Sequence, residues 1–537
     1  MTIRPGLSDW IPSTCDVLVI GGGATGLGVA VQAALEGRSV VLVEGRDFAS
    51  GTSSRSTKLL HGGVRYLAQG RIQLVREALR ERAIVLGLAP HLAQPLPFVV
   101  HERRWFFWAV TLMGLKLYQW LAGRLSLGAT EALSQHDLQG TSTALPGTVA
   151  GVRFWDGQFE DARLALALAQ TAQAAGAWVR NHVRVVGLEQ QVTGWQVSLQ
   201  DALTGQTATL QASCVVNAAG VWVDAMRQLA LHKASPSYES HAAGGPTKPL
   251  QGLVKPSQGV HWVVDRALLP LEDAVLVPRT SDGRVLFAVP WLGATVIGTT
   301  DTPRDDAPQE PRPMAEELAF LWRETERAFG LRLRAQDVKS VWVGLRPLVG
   351  GAPSSATAKM SREHLIAREA EGFVTVTGGK WTTYRSMAQQ VMAALVVSGD
   401  LPAPTREART DQHMLFGAPK RGTAPVSLCE APGLHLLGAQ AAQVIDAPGS
   451  DECLGLGLTA AMVRYSARSE WAITVEDMLA RRWRVLFLDA RLAARMAPRV
   501  AELLQQETGI APALPAFLAL CEQYQLPSSY CCVMPAF

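Results

Sequence analysis

Residues able to do chemistry gather near the start of the chain. Leu60-His61-Gly62-Gly63-Val64-Arg65-Tyr66 sets an imidazole, a guanidinium and a phenol around two glycines. An imidazole titrates near neutrality and suits general acid–base work. The glycines let a ring or a substrate come close to the backbone. Just upstream, Gly51-Thr52-Ser53-Ser54-Arg55-Ser56-Thr57-Lys58 is a dense run of hydroxyls and small residues, able to line an extended ligand. Two further cations stand in unusual settings. Arg346 lies between Leu345 and Pro347, and Lys380 follows Gly378-Gly379 and precedes Trp381. A charge set among apolar neighbours has a specific partner as a rule.

The elements around these residues must position them. Residues 17–20 form a short apolar strand that runs into Gly21-Gly22-Gly23-Ala24-Thr25-Gly26, a match to G-x-G-x-x-G. Residues 27–36 read as a helix, and residues 39–43 as a second strand ending at Glu44. This is a βαβ unit with a dinucleotide fingerprint in its proper context. Gly21 makes the tight turn, Gly23 lets a pyrophosphate approach, and Gly26 lets helix and strand pack closely. The helix N-terminus faces the phosphates, and Glu44 is placed to accept ribose hydroxyls. The turn alone does not separate FAD from NAD. The Thr52–Lys58 cluster and the lack of a second G-x-G-x-x-G favour the longer cofactor.

Farther along, residues 73–88 predict an amphipathic helix, and Pro90, Pro95 and Pro97 predict a loop after it. The segment from Trp105 to Arg124 is rich in Trp and Phe and flanked by Arg103, Arg104, Lys116 and Arg124. Its apolar run is too short to span a bilayer, which takes about 20 residues. The composition predicts a helix lying in one leaflet, with a buried packing helix as the alternative. Residues 161–175 predict a helix, and residues 178–188, 194–199 and 208–212 antiparallel strands. Cys214 to Gly220 reads as a strand ending in small residues, including Ala218, and residues 221–231 as the helix after it. Short strands at 260–264, 274–277, 285–289 and 295–298 precede a polar loop at 303–313 and a helix at 315–329. An apolar strand at 373–376 and a helix at 384–397 then resume the strand-to-helix alternation of the first βαβ unit. Residues 401–410 and 417–433, rich in Pro, Gly and Thr, predict a linker before helices at 458–467, 475–482 and 490–507.

Composition narrows the classes. A chain of 537 residues with 48% hydrophobic and 18% charged residues is globular and larger than one domain. A net charge of +3, with no basic-aromatic alternation, gives no footing for nucleic acid. Seven scattered cysteines with no C-x-x-C exclude a zinc or disulfide framework and suit a reducing compartment. No apolar signal segment precedes Cys15, which places the expected site of action on the cytoplasmic side.

The segment GTSSRSTKLLHGGVRYL resembles the signature of the FAD-dependent glycerol-3-phosphate dehydrogenases. Ile297-Gly298-Thr299-Thr300-Asp301, Val343-Gly344-Leu345-Arg346-Pro347-Leu348 and Gly378-Gly379-Lys380-Trp381-Thr382-Thr383-Tyr384-Arg385 follow in the family's order. Together they span most of residues 14–390. The resemblance implies non-covalent FAD and oxidation of sn-glycerol 3-phosphate to dihydroxyacetone phosphate, with electrons passed to a membrane quinone. It implies cofactor contacts from Gly21, Gly23, Ala24, Thr25, Gly26, Glu44, Thr52, Ser53, Ser54, Lys58, Leu60, His61, Gly62, Gly63, Ala218, Gly220, Gly379, Lys380 and Thr382. It implies substrate contacts from Arg65, Tyr66, His261, Arg346, Arg362 and Lys380. A phosphate dianion needs fixed cations, and Arg pairs its oxygens two at a time. Arg346 and Lys380 match the family's motifs, and Arg362 matches them less closely. His61 is the expected base and His261 the orienting donor, with the reverse left open. Arg55 is expected at a phosphate or the flavin edge. No metal site is expected.

The fold class expected is mixed α/β: a two-dinucleotide-binding-type FAD domain, an inserted antiparallel-sheet substrate domain and a helical C-terminal domain. The expected boundaries are 14–100, 151–230 and 341–400 for the FAD domain, 101–150 for a membrane-facing insertion, 231–340 for the substrate domain and 411–537 for the helices. Peripheral membrane attachment through Trp105 to Arg124 and a homodimer complete the expectations. Location is the cytoplasmic face of the inner membrane, or the cytoplasm if that segment is buried. Competing readings are an oxygen-using glycerol-3-phosphate oxidase, an amine or amino-acid oxidase, an NAD dehydrogenase, and a flavin-binding sensor or scaffold.

Overall fold

The two apolar runs that flank the glycine turn lie side by side as parallel strands Thr14–Ile20 and Val40–Val43. Their near-continuous apolar character follows from burial on both faces. The structure is a computed structural model and describes residues 4–67, 69–139, 145–231, 251–350 and 364–527. A parallel set runs, in spatial order, Phe373–Gly378, Thr207–Asn217, Thr14–Ile20, Val40–Val43 and Trp178–Arg180. His364–Ala370 and the hairpin of Val183–Gln190 with Trp195–Asp201 extend it to eight strands by antiparallel pairing. Val17, Val19, Val40 and Leu42 face helices Ala24–Leu35, Asp161–Ala174 and Tyr384–Val397 in one core. Leu18, Ile20, Val41 and Val43 face the hairpin on the other side.

A second, ten-stranded sheet carries the rest of the chemistry-bearing residues. Its longest pair, at one end of the sheet, is Val254–Asp265 with Val338–Val349, antiparallel, and Ala294–Gly298 flanks Val254–Asp265 on the other edge. Leu286–Trp291, Ala274–Val277, Ala93–Glu102, Ala150–Phe159 and Leu59–Leu60 follow outward in that order. Side chains alternate across the sheet as the pleat requires. Val260, Trp262, Val341 and Val343 pack on helix Ala315–Phe329, while Val263 and Trp342 pack on the C-terminal helices. Those helices are Ala460–Ser469, Ala490–Thr508 and Leu514–Gln523. The longest is fixed at both ends: Asp489 accepts the Leu492 N–H at its start, and Gly509 at φ 69° ends it. The architecture is thus mixed α/β with a helical C-terminal region.

Two local expectations are corrected. The proline-bearing stretch after helix Ile72–Leu88 is not a loop but strand Ala93–Glu102, paired along its length with Ala150–Phe159. Ala274–Val277 joins it only from Phe98 onward, so Pro95 and Pro97 precede the part that is paired on both sides. The single strand expected at 178–188 is two strands, Trp178–Arg180 and Val183–Gln190. His182, at φ 54°, breaks them and turns the chain from parallel to antiparallel pairing.

Helix Trp105–Ala122 buries only Leu115, Tyr118 and Ala122, one narrow stripe. Trp105 is 60% exposed, Phe106 72%, Met113 65% and Trp120 69%, which excludes a buried packing helix. Among the described residues, no helix is long and apolar enough to cross a membrane.

Candidate active site

The glycine turn is built by close approach. Gly21 has φ 111°, and a Cβ there would lie 2.6 Å from the Ala218 carbonyl oxygen. A Cβ on Gly26 would lie 1.9 Å from the Gly21 carbonyl oxygen, so no other residue fits. The turn therefore runs against the small residues that end strand Thr207–Asn217, and helix Ala24–Leu35 starts directly from it. The Gly22 N–H donates to Glu44 Oε2 at 2.7 Å and the Arg46 N–H to Oε1 at 2.8 Å. Burial pushes the Glu44 carboxyl up, and these two donors oppose that shift. Each oxygen keeps a lone pair for a ribose hydroxyl. Ser53 Oγ accepts the Ala24 N–H at 2.9 Å, which places Ser53 at the helix N-terminus beside Thr25. The cradle fits a dinucleotide: backbone without side chains, at the positive end of a twelve-residue helix.

The hydroxyl segment is clamped on both sides. Thr52 Oγ1 donates to the Leu345 carbonyl at 2.6 Å, and Trp381 Nε1 donates to the Ser53 carbonyl at 2.8 Å. Leu345 directly precedes Arg346, and Trp381 directly follows Lys380. The Lys58 side chain, expected at the cofactor, is fully buried. Its ammonium donates to Asp161 Oδ2 at 2.7 Å and to the Ser54 carbonyl at 2.8 Å, and lies 4.7 Å from the Trp342 ring centre. Burial lowers it to about 7 against the opposing pull of Asp161. Arg484, from the C-terminal helices, donates to the same Ser54 carbonyl at 2.6 Å. Arg55 corrects its expectation: it is buried and forks onto Glu310 at 2.8 and 2.6 Å, so it faces a carboxylate and not a phosphate.

The catalytic candidates fall in two groups joined by this segment. In the first, the Lys380 ammonium lies 4.0 Å from the Tyr66 ring centre, and Thr382 Oγ1 donates to the His61 carbonyl at 3.4 Å. Gly63, at φ 80°, sits between them, and Gly378 and Gly379 turn the chain into Lys380. Leu60 is buried in strand Leu59–Leu60, and Arg65 stands on the short helix Val64–Leu67, its side chain outside the described part of the structure. Arg362 lies outside the described residues.

The second group sits on the long antiparallel pair Val254–Asp265 and Val338–Val349 at one end of the ten-stranded sheet. Arg346 pairs in register with Ser257, one turn of the pleat from Gly259. Its guanidinium is 23% exposed and donates to Thr299 Oγ1 at 3.1 Å and the Thr300 carbonyl at 3.2 Å, with Asp301 Oδ1 at 3.4 Å. A Cβ on Gly259 would lie 2.5 Å from Arg346 Nη2, so that glycine makes the guanidinium's place. A Cβ on Gly298 would lie 2.3 Å from the His261 ring and clears room for it in the same way. His261 pairs with Trp342, and their rings stack at 4.2 Å. Its Nε2 lies 2.9 Å from Thr57 Oγ1, and Nδ1 is buried without a hydrogen-bond partner. Burial first, then the charges of Arg346 and Lys58, hold the imidazole well below its ordinary range, so it is neutral at neutral pH.

Residues 16–385 match the family model described as FAD dependent oxidoreductase, and residues 434–513 match the C-terminal domain of alpha-glycerophosphate oxidase. The chain is 38% identical to the mitochondrial glycerol-3-phosphate dehydrogenase of Arabidopsis thaliana, over 92% of this chain and 82% of that one. It is 36% identical to the human mitochondrial glycerol-3-phosphate dehydrogenase, over 92% and 71%. The chain belongs to the FAD-dependent glycerol-3-phosphate dehydrogenase family. A glycerol-3-phosphate dehydrogenase from Bacillus halodurans, solved with FAD, superposes with a TM-score of 0.73 at 28% identity, covering 97% of both chains. The glycine oxidase of Geobacillus kaustophilus, at 20% identity and a TM-score of 0.53, shares the fold alone.

Within this family framework, several residues escaped the sequence reading. Nothing local marks Gly259 as the neighbour of Arg346 or, within the hydroxyl run, Thr57 as the partner of His261. Asp47, His182 and Asp477 also converge in a buried cluster. Arg481 and Arg482 pair with Asp47, Arg481 reaches Asp477 Oδ1 at 3.0 Å and His182 lies 2.9 Å from Asp477 Oδ2. The cluster is an ion-pair joint between the nucleotide domain and the C-terminal helices.

Proposed function

We propose that this chain oxidises sn-glycerol 3-phosphate to dihydroxyacetone phosphate and passes the electrons to a membrane quinone. The observation that carries the proposal is the double tie of the Thr52–Ser53 segment, through the Thr52 hydroxyl to the Leu345 carbonyl and through the Ser53 carbonyl to the Trp381 indole N–H. It sets both candidate phosphate cations, Arg346 and Lys380, beside the segment that adjoins the nucleotide turn. FAD, when bound, supplies the hydride acceptor. Gly21, Gly23, Ala24, Thr25 and Gly26 would hold its pyrophosphate, and Glu44 its ribose. Thr52, Ser53, Ser54, Leu60, Gly62, Gly63, Ala218, Gly220, Gly379 and Thr382 would line the remainder, without a covalent link.

The chain's own groups divide the work. Arg346 and Lys380 hold the phosphate dianion and so orient the glycerol carbons. Tyr66 borders the same place, and Arg65 keeps the substrate role that the family resemblance implies. His61, half-buried and followed by two glycines, takes the proton of the C2 hydroxyl. His261 is the poorer base, because its buried surroundings oppose the charge it would gain. As a neutral imidazole it orients the substrate.

The exposed aromatic face of helix Trp105–Ala122 supports attachment to a bilayer, on the cytoplasmic face of the inner membrane. Arg103, Arg104, Lys116 and Arg124 are all exposed around that face and suit anionic headgroups. Sedimentation with anionic liposomes tests the attachment, and reoxidation of the substrate-reduced protein by a lipid-soluble quinone tests the acceptor. Binding together with quinone reoxidation faster than air reoxidation is the outcome required. Protein left in the supernatant, or reoxidation by oxygen alone, contradicts it. Acid precipitation releases the flavin to the supernatant if it is non-covalent, and colour in the pellet contradicts that part.

A further inference from the structure

The loop that carries His61 is gripped from two sides. On one side lie Thr382, whose hydroxyl donates to the His61 carbonyl at 3.4 Å, and Lys380. On the other side is Tyr118, from the buried stripe of helix Trp105–Ala122. The Gly62 N–H donates to the Tyr118 hydroxyl oxygen at 2.8 Å, and that hydroxyl donates to Asp156 Oδ2 at 2.8 Å. Asp156 Oδ1 accepts from Arg82 Nη1 at 2.9 Å, and Arg82 Nη2 donates to the Leu125 carbonyl at 3.1 Å. Tyr118, Asp156 and Arg82 are all buried. They come from three elements: the aromatic helix, strand Ala150–Phe159 and helix Ile72–Leu88.

The phenol is therefore used as donor and acceptor at once, and both of its partners lie away from water. Burial and the neighbouring Asp156 charge raise it well above its ordinary range, so it stays protonated. A hydrogen bond to a carboxylate is stronger than one between neutral groups, and it polarises the next bond in the chain. Packing alone would be met by a phenyl ring, since Tyr118 also lies edge-on to Phe154 at 6.4 Å. The space at Gly62 is fixed by the same contact. A Cβ there would lie 2.3 Å from the Tyr118 oxygen and 2.6 Å from Leu79 Cδ2.

We propose that Tyr118 is a positioning residue for the oxidation: its hydroxyl holds the Gly62 amide and so sets where His61 stands against Lys380. The role rests on the assignment of His61 as the base. It gives helix Trp105–Ala122 a second task on the side opposite its exposed aromatics.

Tyr118→Phe removes one oxygen and keeps the ring. Two measurements on the FAD-loaded protein test it: hydrogen–deuterium exchange of peptides covering residues 59–64, and the rate of flavin reduction in anaerobic single-turnover mixing. The variant should exchange those amides at least tenfold faster, while peptides from strand Ala150–Phe159 exchange at the parental rate. Flavin reduction should slow at least tenfold, with substrate affinity kept within threefold. Parental exchange in the loop, or reduction within twofold of the parent, overturns the proposal. Gly62→Ala displaces the loop with the phenol intact and should slow reduction as much, and it carries the test if Tyr118→Phe does not fold. A parental rate in Gly62→Ala overturns the proposal as well. His61→Asn, measured alongside, separates the two claims. Parental reduction by that variant sinks the base assignment and this role with it. A slow His61→Asn beside a parental Tyr118→Phe sinks the role of Tyr118 alone.

Discussion

Gly259→Ala is the most informative single change for substrate binding, because it acts on Arg346 without altering any charge. The added Cβ would lie 2.5 Å from Arg346 Nη2, 2.8 Å from Nη1 and 2.6 Å from Thr299 Oγ1. The strand backbone is held by antiparallel pairing on both edges, to Val338–Val349 and to Thr302–Pro303 and Ala294–Gly298. The guanidinium must therefore move, by about 1 Å to restore ordinary contact. It leaves the Thr299 hydroxyl and Thr300 carbonyl that now aim it. A charge-assisted contact is worth roughly 1.5–3 kcal/mol, which is roughly 10- to 150-fold in kcat/KM. Misplacement by that distance costs on the order of 100-fold where geometry is tight, a figure inside the same range. Dye-linked steady-state assays of Gly259→Ala, Arg346→Ala and the double variant give the coupling. The single change should cost at least tenfold, and the double variant should be no worse than Arg346→Ala. Parental kcat/KM in Gly259→Ala, or full additivity in the double variant, refutes the placement of Arg346 on the phosphate.

The other predictions concern the remaining candidates. Lys380→Ala should retain FAD and lose more than tenfold in kcat/KM, with normal turnover removing it from the phosphate site. His61→Asn should slow flavin reduction more than it weakens substrate binding, and a slow His261→Asn beside a fast His61→Asn transfers the base to His261. His101 is buried and lowered from 6.5 to about 4 by burial alone. The unfolded chain thus binds a proton that the native chain does not, and native stability falls as pH drops below 6.5. The loss is about 1.4 kcal/mol per pH unit and stops once pH passes below the folded value. Urea unfolding at neutral and mildly acid pH should show His101→Gln losing correspondingly less than the parent, and equal losses contradict the assignment.

Helix bounds that rest on local periodicity came through the sequence well: Ala315–Phe329 and Tyr384–Val397 stand where the pattern put them. The glycine turn was equally legible, since G-x-G-x-x-G between an apolar strand and an apolar helix states its own geometry. Strand Ala93–Glu102 was hidden by Pro95 and Pro97, whose local preference was overridden by pairing with Ala150–Phe159. The side-chain partners of Arg55 and Lys58 were hidden for a different reason. These, Glu310 and Asp161, lie far along the chain, and no spacing announces them. The same non-locality hid Gly259, which has meaning only once Arg346 lies across from it. By contrast, the composition of Trp105 to Arg124 already signalled an exposed aromatic face, but not the inner Tyr118 that touches the His61 loop.

Anaerobic addition of sn-glycerol 3-phosphate to the FAD-loaded protein tests the central claim most directly. The visible flavin absorbance should bleach, with dihydroxyacetone phosphate formed in equal amount to the flavin reduced, and Arg346→Ala should bleach far more slowly. A flavin that stays oxidised with sn-glycerol 3-phosphate yet bleaches with an amine or amino acid contradicts the account.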